Sequence, residues 1–192
     1  MLIPEFKRLP AVVAIPARNE AARIERCLAS LAMQRDSLGA PVARNAFEVV
    51  LFANNCTDET AQRARAYAAL LPYRLSVLEA DLVPDQATAG GARRLAMDEA
   101  ARRLSAFPDG IILTTDADST VAPTWFANTC QHLRDGADCV AGTIDAEPPE
   151  IIRLGPDFVE RGRLEDTYLR LVAEIYARCD PRAHDQIGRA HV

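Results

Sequence analysis

The chain has 192 residues, enough for one compact domain with a continuous core. With 49% hydrophobic and 26% charged residues it has the balance of a folded globular protein, which excludes an intrinsically disordered chain. The formal charge of −5, from 22 basic against 27 acidic residues, excludes the basic surface that a nucleic-acid binder needs to displace counterions from phosphates.

Cysteines stand at 27, 56, 130, 139 and 179, an odd number with no C-x-x-C spacing, so they read as reduced, mostly buried thiols of a cytoplasmic protein. The opening MLIPEFKRLP lacks the apolar run of a signal peptide. No stretch approaches the ~20 apolar residues of an integral membrane segment.

In chain order, AVVAI (11–15), closed by Pro16, reads as a buried strand. Ile24, Cys27, Leu28 and Leu31 then recur at helical spacing, with Asn19 as the expected N-cap and Glu20 in the first turn. Asp36 to Ala46, with Gly39 and Pro41, reads as loop, and Phe47 to Phe52 as a second strand. Thr57 is the expected cap of a helix that buries Ala61, Ala64, Ala68 and Leu71. Arg74 to Leu78 is a third strand, and Gly90 and Gly91 open a helix carrying Leu95, Ala96 and Leu104. Ile111 to Thr115 is a fourth strand that ends in Asp116-Ala117-Asp118. A helix from Pro123 to Leu133 and a fifth strand from Asp138 to Gly142 follow.

This alternation predicts an α/β fold: a Rossmann-like, mostly parallel sheet with helices on both faces and right-handed crossovers. After the irregular, proline-rich residues 144–157, Tyr168, Leu171, Val172, Ile175, Tyr176 and Cys179 mark the apolar face of an amphipathic helix expected to pack on the core. The organisation expected is an α/β region over 1–143, a loop and helix over 144–185, and a tail over 186–192.

In parallel sheets, ligands bind beyond the carboxyl ends of the strands. The unusual polar residues fall there: Arg18 and Asn19 after the first strand, Asn54 and Asn55 after the second, Asp116 and Asp118 after the fourth. Two carboxylates two residues apart at a strand end suit a hard divalent cation, Mg²⁺ or Mn²⁺, which is held by one or two carboxylates together with substrate phosphates. Alone, such a D-x-D is a weak signal, more often a solvated acidic turn that caps the next helix.

Four segments together are more specific. AIPARNE (14–20) resembles the I-P-x-x-N-E opening of family 2 glycosyltransferases, and FANNCTDET (52–60) resembles their V-D-D-G-S-T-D-x-T segment. AGGARRLAM (89–97) is similar to G-x-A-R-N-x-G, and TTDADSTVAPTWF (114–126) to D-A-D-x-x-x-x-x-x-W-L. The resemblance spans residues 11–143 and implies the GT-A fold, which binds a nucleotide-diphosphate sugar and a divalent metal.

Carried over position by position, it implies that Pro16, Ala17, Arg18, Asn19 and Glu20 line the nucleoside and that Asn54 faces the base. It further implies that Arg93 lies near base or diphosphate, that Asp116 with Ala117 meets the ribose, and that Asp118 holds the metal with Asp116 beside it. Relatives have an aromatic residue at Arg18 and Asp at Asn54. A guanidinium plane can also stack on a base, and Asn donates as well as accepts, so uracil and guanine both stay open.

The expected activity is metal-assisted, inverting transfer of a sugar from its nucleotide diphosphate to an acceptor that the sequence does not identify: a small molecule, a glycan, or a lipid reached from the membrane periphery. The resemblance places the family's general base in a later acceptor-binding segment, which is expected to lie beyond this chain. The tail QIGRAHV (186–192) fits no strand, helix or cap logic and is encoded by CAG ATC GGA AGA GCA CAC GTC, a common sequencing-adapter string whose next codon is a stop. Gln186 to Val192 are therefore expected to be non-native, the natural frame to continue, and the fragment to bind donor without transferring sugar. The alternative is a non-catalytic nucleotide-sugar-binding module. A nucleotidyltransferase ranks lower, because Pro16 to Glu20 hold no phosphate-binding glycine.

Overall fold

A computed structural model describes residues 10–144 and 153–179. The chain divides into two compact units, Met1–Asn128 and Thr129–Val192.

The first unit is built on a four-stranded, all-parallel sheet in the order β3-β2-β1-β4, with β1 Ala11–Ala17, β2 Glu48–Asn54, β3 Arg74–Ala80 and β4 Ile111–Thr114. Every residue of β1 is buried, as is β2 beyond Glu48, which is why both read as unbroken apolar runs. On the edge strand β4 burial alternates instead. Pro16 lies inside β1, not after it, and is tolerated because the ladder to β4 has already ended at Ala14.

The helices cover both faces. Helix α3 (Ala89–Arg103) packs on β1, β2 and β4, with Ala92, Ala96 and Ala100 set against Val12, Ala14, Val50 and Phe52. Its buried stripe is the small-residue row at i, i+4, i+8, which lets the helix lie close to the sheet; Leu95 is only partly buried. The odd-numbered residues Val13, Ile15, Val49 and Leu51 point the other way and are fully buried, while α1 (Ile24–Ala32) and α2 (Thr60–Tyr67) pack on each other and α2 on β3. The Tyr73 hydroxyl donates to the Leu28 carbonyl at 2.7 Å, and Phe47 stacks between Tyr73 and Phe126, tying α1, β2 and the start of α4 (Trp125–Arg134) together.

Several expectations are corrected. Asn19 does not cap α1; its φ is +57°, a left-handed conformation in which its carboxamide turns to Thr57. Thr57 consequently caps nothing, and α2 begins later, at Thr60. No strand forms over Asp138 to Gly142, where only Gly142 makes a single bridge. That segment has just left α4 through the Gly136 turn. The helix expected late in the chain is present as α5 (Pro156–Cys179), with proline at the first helical position. Its apolar face is not buried as expected: Tyr168 is 66% and Ile175 60% exposed, with Leu171 also exposed. Helical periodicity specifies a face, not what covers it. The side chains of Tyr176 and Cys179, residues 145–152 and the tail 186–192 lie outside the described residues.

At the amino-end edge of the sheet, Arg103 pairs with Glu48 and donates to Ser76 and Glu99, while Arg102 grips Glu99 at 2.7 and 2.8 Å. Hydrogen bonds from Arg102 and then Arg103 outweigh burial and hold the Glu99 carboxyl down at about 2. Because the folded value is depressed, the stabilisation is present above the ordinary carboxyl range, near 4.5, and is lost as pH falls toward about 2. Thermal melts across that window should show a fall in stability that Glu99→Gln largely removes.

Thr88 caps α3 by accepting from the Gly91 amide at 3.0 Å. A Cβ at Gly91 would collide with the Gln86 carbonyl oxygen, whereas one at Gly90 would meet nothing within 4 Å. Gly91→Ala should therefore cost about 1–3 kcal/mol in denaturant unfolding, while Gly90→Ala should be neutral or slightly stabilising.

Candidate functional site

From β1 the chain steps one way to β2 and β3, while β4 lies on β1's other side. The crevice at the carboxyl ends of β1 and β4 is thus the topological switch point of the sheet, where α/β proteins bind ligands. Residues 18–20, 54–55 and 116–118 leave the sheet at this end, and Arg93 reaches it from α3.

The loops after β1 and β2 are stitched to each other. The Asn19 carboxamide oxygen accepts from the Thr57 amide at 2.8 Å. The Glu20 amide donates to the Thr60 hydroxyl at 2.8 Å, and that hydroxyl donates in turn to Asp58. Asp58 also accepts from the amides of Ala21 and Thr60, both at 3.0 Å. Burial alone would raise the Asp58 pKa, but these hydrogen bonds outweigh it and lower it. Asn55, at φ +48°, clamps the loop after β3 by donating to the Leu82 carbonyl and accepting from the Leu82 amide. Asn55 is therefore a turn-and-clamp residue.

Asn54 differs: it is 2% exposed, and its Nδ2 has no hydrogen-bond partner. Pro16 and Ala17 are buried strand residues, and Ala117 is buried too, so only their backbones could line a ligand. Arg18 is exposed and donates to the Ala87 carbonyl at 3.1 Å. That contact sets it beside an open hollow of about 300 Å³ lined by Gln86, Thr88, Gly90, Gly91 and Arg94, together with Asp85 and Leu95. Asp116 and Asp118 do not line this hollow. His132, read from the sequence as a helix-surface residue, is exposed, and Trp125 is half-buried.

Around the D-x-D each carboxylate faces an arginine. Asp116 is ion-paired with Arg93. Arg23 lies 2.8 Å from Glu20 and 3.8 Å from Asp118, and Arg26 donates to the Asp118 carbonyl at 3.5 Å. Burial raises the Glu20 carboxyl above its ordinary value; Arg23 opposes this and Asp118 adds to it. Burial, then the charges of Asp118 and Asp116, push the Cys27 thiol up to about 12, so it stays protonated and donates to the Asp116 carbonyl at 3.4 Å.

Sequence reasoning did not nominate Arg23, Arg26 or Cys27. Only Arg23 carried a usable signal, its i,i+3 spacing from Glu20. Among the described residues no group of three or more His, Cys, Asp or Glu could hold a metal ion by itself. No helix among them is long and apolar enough to cross a membrane.

Comparison with known proteins agrees with this architecture. No curated protein matches the chain. Among solved structures, Staphylococcus aureus TarS 1–349 in complex with UDP is similar in fold, with TM-score 0.52 and 22% identity. Mannosyltransferase PcManGT from Pyrobaculum calidifontis, in complex with GDP-Man and Mn²⁺, has TM-score 0.51 and 26% identity. Each match covers 66% of this chain and 32% of the solved one, so this chain spans about a third of their length. The model of glycosyl transferase family 2 matches residues 12–176, well over half of the sequence. The parallel sheet, the switch-point crevice and this match agree: the chain belongs to glycosyl transferase family 2.

Proposed function

We propose that this chain binds the nucleotide-diphosphate sugar donor of a metal-assisted, inverting glycosyltransferase. One observation carries the reading. Among the described residues, the buried side-chain polar atoms without a hydrogen-bond partner are Glu20 Oε2, Asn54 Nδ2 and Arg93 Nε. All three belong to residues that the sequence assigns to the ligand. Glu20 Oε2 has the charge of Arg23 at 2.8 Å but not the alignment of a hydrogen bond, so Asn54 and Arg93 are the stronger cases. A buried donor left unpaired costs about 1–3 kcal/mol, and a ligand with acceptors at both places would recover that.

The donor set fits a hard divalent cation. Asp118 and Asp116 offer carboxylate oxygens that are nearly half exposed, and Mg²⁺ or Mn²⁺ commonly takes only one or two carboxylates and fills its shell with phosphate oxygens and water. Asp118 would hold the ion, which when bound neutralises charge on the departing nucleoside diphosphate. Asp116, steadied by Arg93, would accept from a ribose hydroxyl. The backbone of Pro16 to Glu20 would wall the nucleoside, with the Arg18 guanidinium against the base and Asn54 at its hydrogen-bonding edge. PcManGT, solved with GDP-Man and Mn²⁺, supports both the metal and the donor class. The acceptor, of unassigned chemistry, would approach from the open side of the crevice.

The metal role is tested by calorimetry with UDP and GDP in Mn²⁺ and in EDTA. The chain should bind at least about tenfold tighter with Mn²⁺. Asp118→Asn should abolish that increment while leaving the melting temperature in place. Equal affinity in the two buffers would overturn the assignment.

The base contact is tested by competition. A carboxylate at position 54 only accepts and so favours the N3–H of uracil. Asn54→Asp should shift preference toward UDP over GDP and ADP; an unchanged order would make Asn54 a core residue with no ligand.

A further inference from the structure

We infer that Gln34 and Ser30 are positioning residues for the Asp116–Asp118 segment, fixing it to the side of α1; the functional consequence rests on the reading proposed above. Residues 115–124, between β4 and α4, form no helix or strand, so their backbone polar groups must find partners elsewhere. The Ser119 amide donates to the Asp116 carbonyl and the Trp125 amide to the Ala122 carbonyl; the ties to the rest of the first unit come from one short stretch of chain, residues 26–35.

The Gln34 side chain, 3% exposed, donates through Nε2 to the Ala122 carbonyl at 2.8 Å and accepts through Oε1 from the Phe126 amide at 2.8 Å. One carboxamide thus spans the turn that leads into α4. The same Nε2 donates to the Ser30 carbonyl at 3.2 Å, which holds the carboxamide in orientation. The buried Ser30 hydroxyl accepts from the Val121 amide at 3.2 Å and donates to the Cys27 carbonyl at 2.7 Å. Backbone adds a further tie, the Arg35 amide donating to the Pro123 carbonyl at 2.7 Å. At the other end the Cys27 thiol and Arg26 hold the carbonyls of Asp116 and Asp118.

The segment bearing the two carboxylates is therefore located by side chains at positions 27, 30 and 34, not by its own secondary structure. A metal held by one or two carboxylates tolerates little displacement, because the phosphate ligands must reach the same ion. Gln34 and Ser30 touch neither ligand nor metal on this reading and act through the backbone they hold.

The test uses the full chain with Gln34→Leu, Gln34→Glu and Ser30→Ala. Two quantities are read: amide hydrogen exchange across residues 116–126, and the ratio of UDP or GDP affinity in Mn²⁺ to that in EDTA. In Gln34→Leu, exchange in the segment should rise about tenfold while β1 and β2 amides are unchanged, and the Mn²⁺ increment should fall about tenfold with metal-free affinity preserved. Gln34→Glu keeps the acceptor for Phe126 and should fall between wild type and Gln34→Leu. Should Gln34→Leu fail to fold, Ser30→Ala carries the same two readouts.

Unchanged exchange in the segment overturns the inference. So does a loosened segment with an unchanged Mn²⁺ increment, which would make these residues structural only. A wild-type chain without any increment would instead refute the proposed function, while the exchange measurement still decides whether Gln34 and Ser30 hold the segment.

Discussion

Strand β1 is covered on both faces and hydrogen-bonded along both edges, and the rest of the first unit depends on that. Seven consecutive residues have to be apolar, and compact enough for α3 to approach one face, while the other face is buried as completely. Ala11, Ala14 and Ala17 give the space, and Val12, Val13 and Ile15 give the buried area. Because β1 is flanked by β2 and β4, whichever residues follow β1 and β4 emerge side by side. The site is a consequence of this pairing, since Glu20 and Asp118 are nearly a hundred residues apart in sequence and share one arginine in space.

Much of this was legible in the sequence because it rests on local rules. Unbroken apolar runs identified β1 and β2, helical spacing identified α1, and the strand-end positions of Arg18, Asn54, Asp116 and Asp118 located the crevice. Strand ends in a parallel sheet share one edge by topology, so no contact had to be known in advance.

What escaped depended on tertiary partners. Asn19 and Thr57 each have the chemistry of a helix cap, but they bond to each other across two loops instead. Local propensity therefore named the right groups and the wrong partners. Gln34 reads as an ordinary polar residue after a helix, and only the packed structure reveals that its carboxamide holds a distant turn. The face of α5 was legible as a face, yet nothing in its periodicity says what should cover it.

The two charge clusters of the unit, built from similar residue types, differ in how firmly their partners are held. At the amino-end edge of the sheet, Arg103, Glu48 and Glu99 have side chains only 17–22% exposed, and their donors and acceptors are used on each other and on Ser76. Separating them would strand charges that are partly withdrawn from water, which is costly. At the carboxyl end, Arg23 and Asp118 are 48% and 46% exposed and 3.8 Å apart, and Arg93 and Asp116 are 36% and 44% exposed. Exposed pairs of that kind contribute about 0–1 kcal/mol, so an incoming ligand can exchange them at little cost. The proposed dication and diphosphate would make such an exchange, offering a new partner to each carboxylate and each guanidinium at once. The looseness of the second cluster is therefore as informative as the tightness of the first. In this sheet, arginines and carboxylates are committed at the end that only has to stay folded and exchangeable at the end where strands from distant parts of the chain converge.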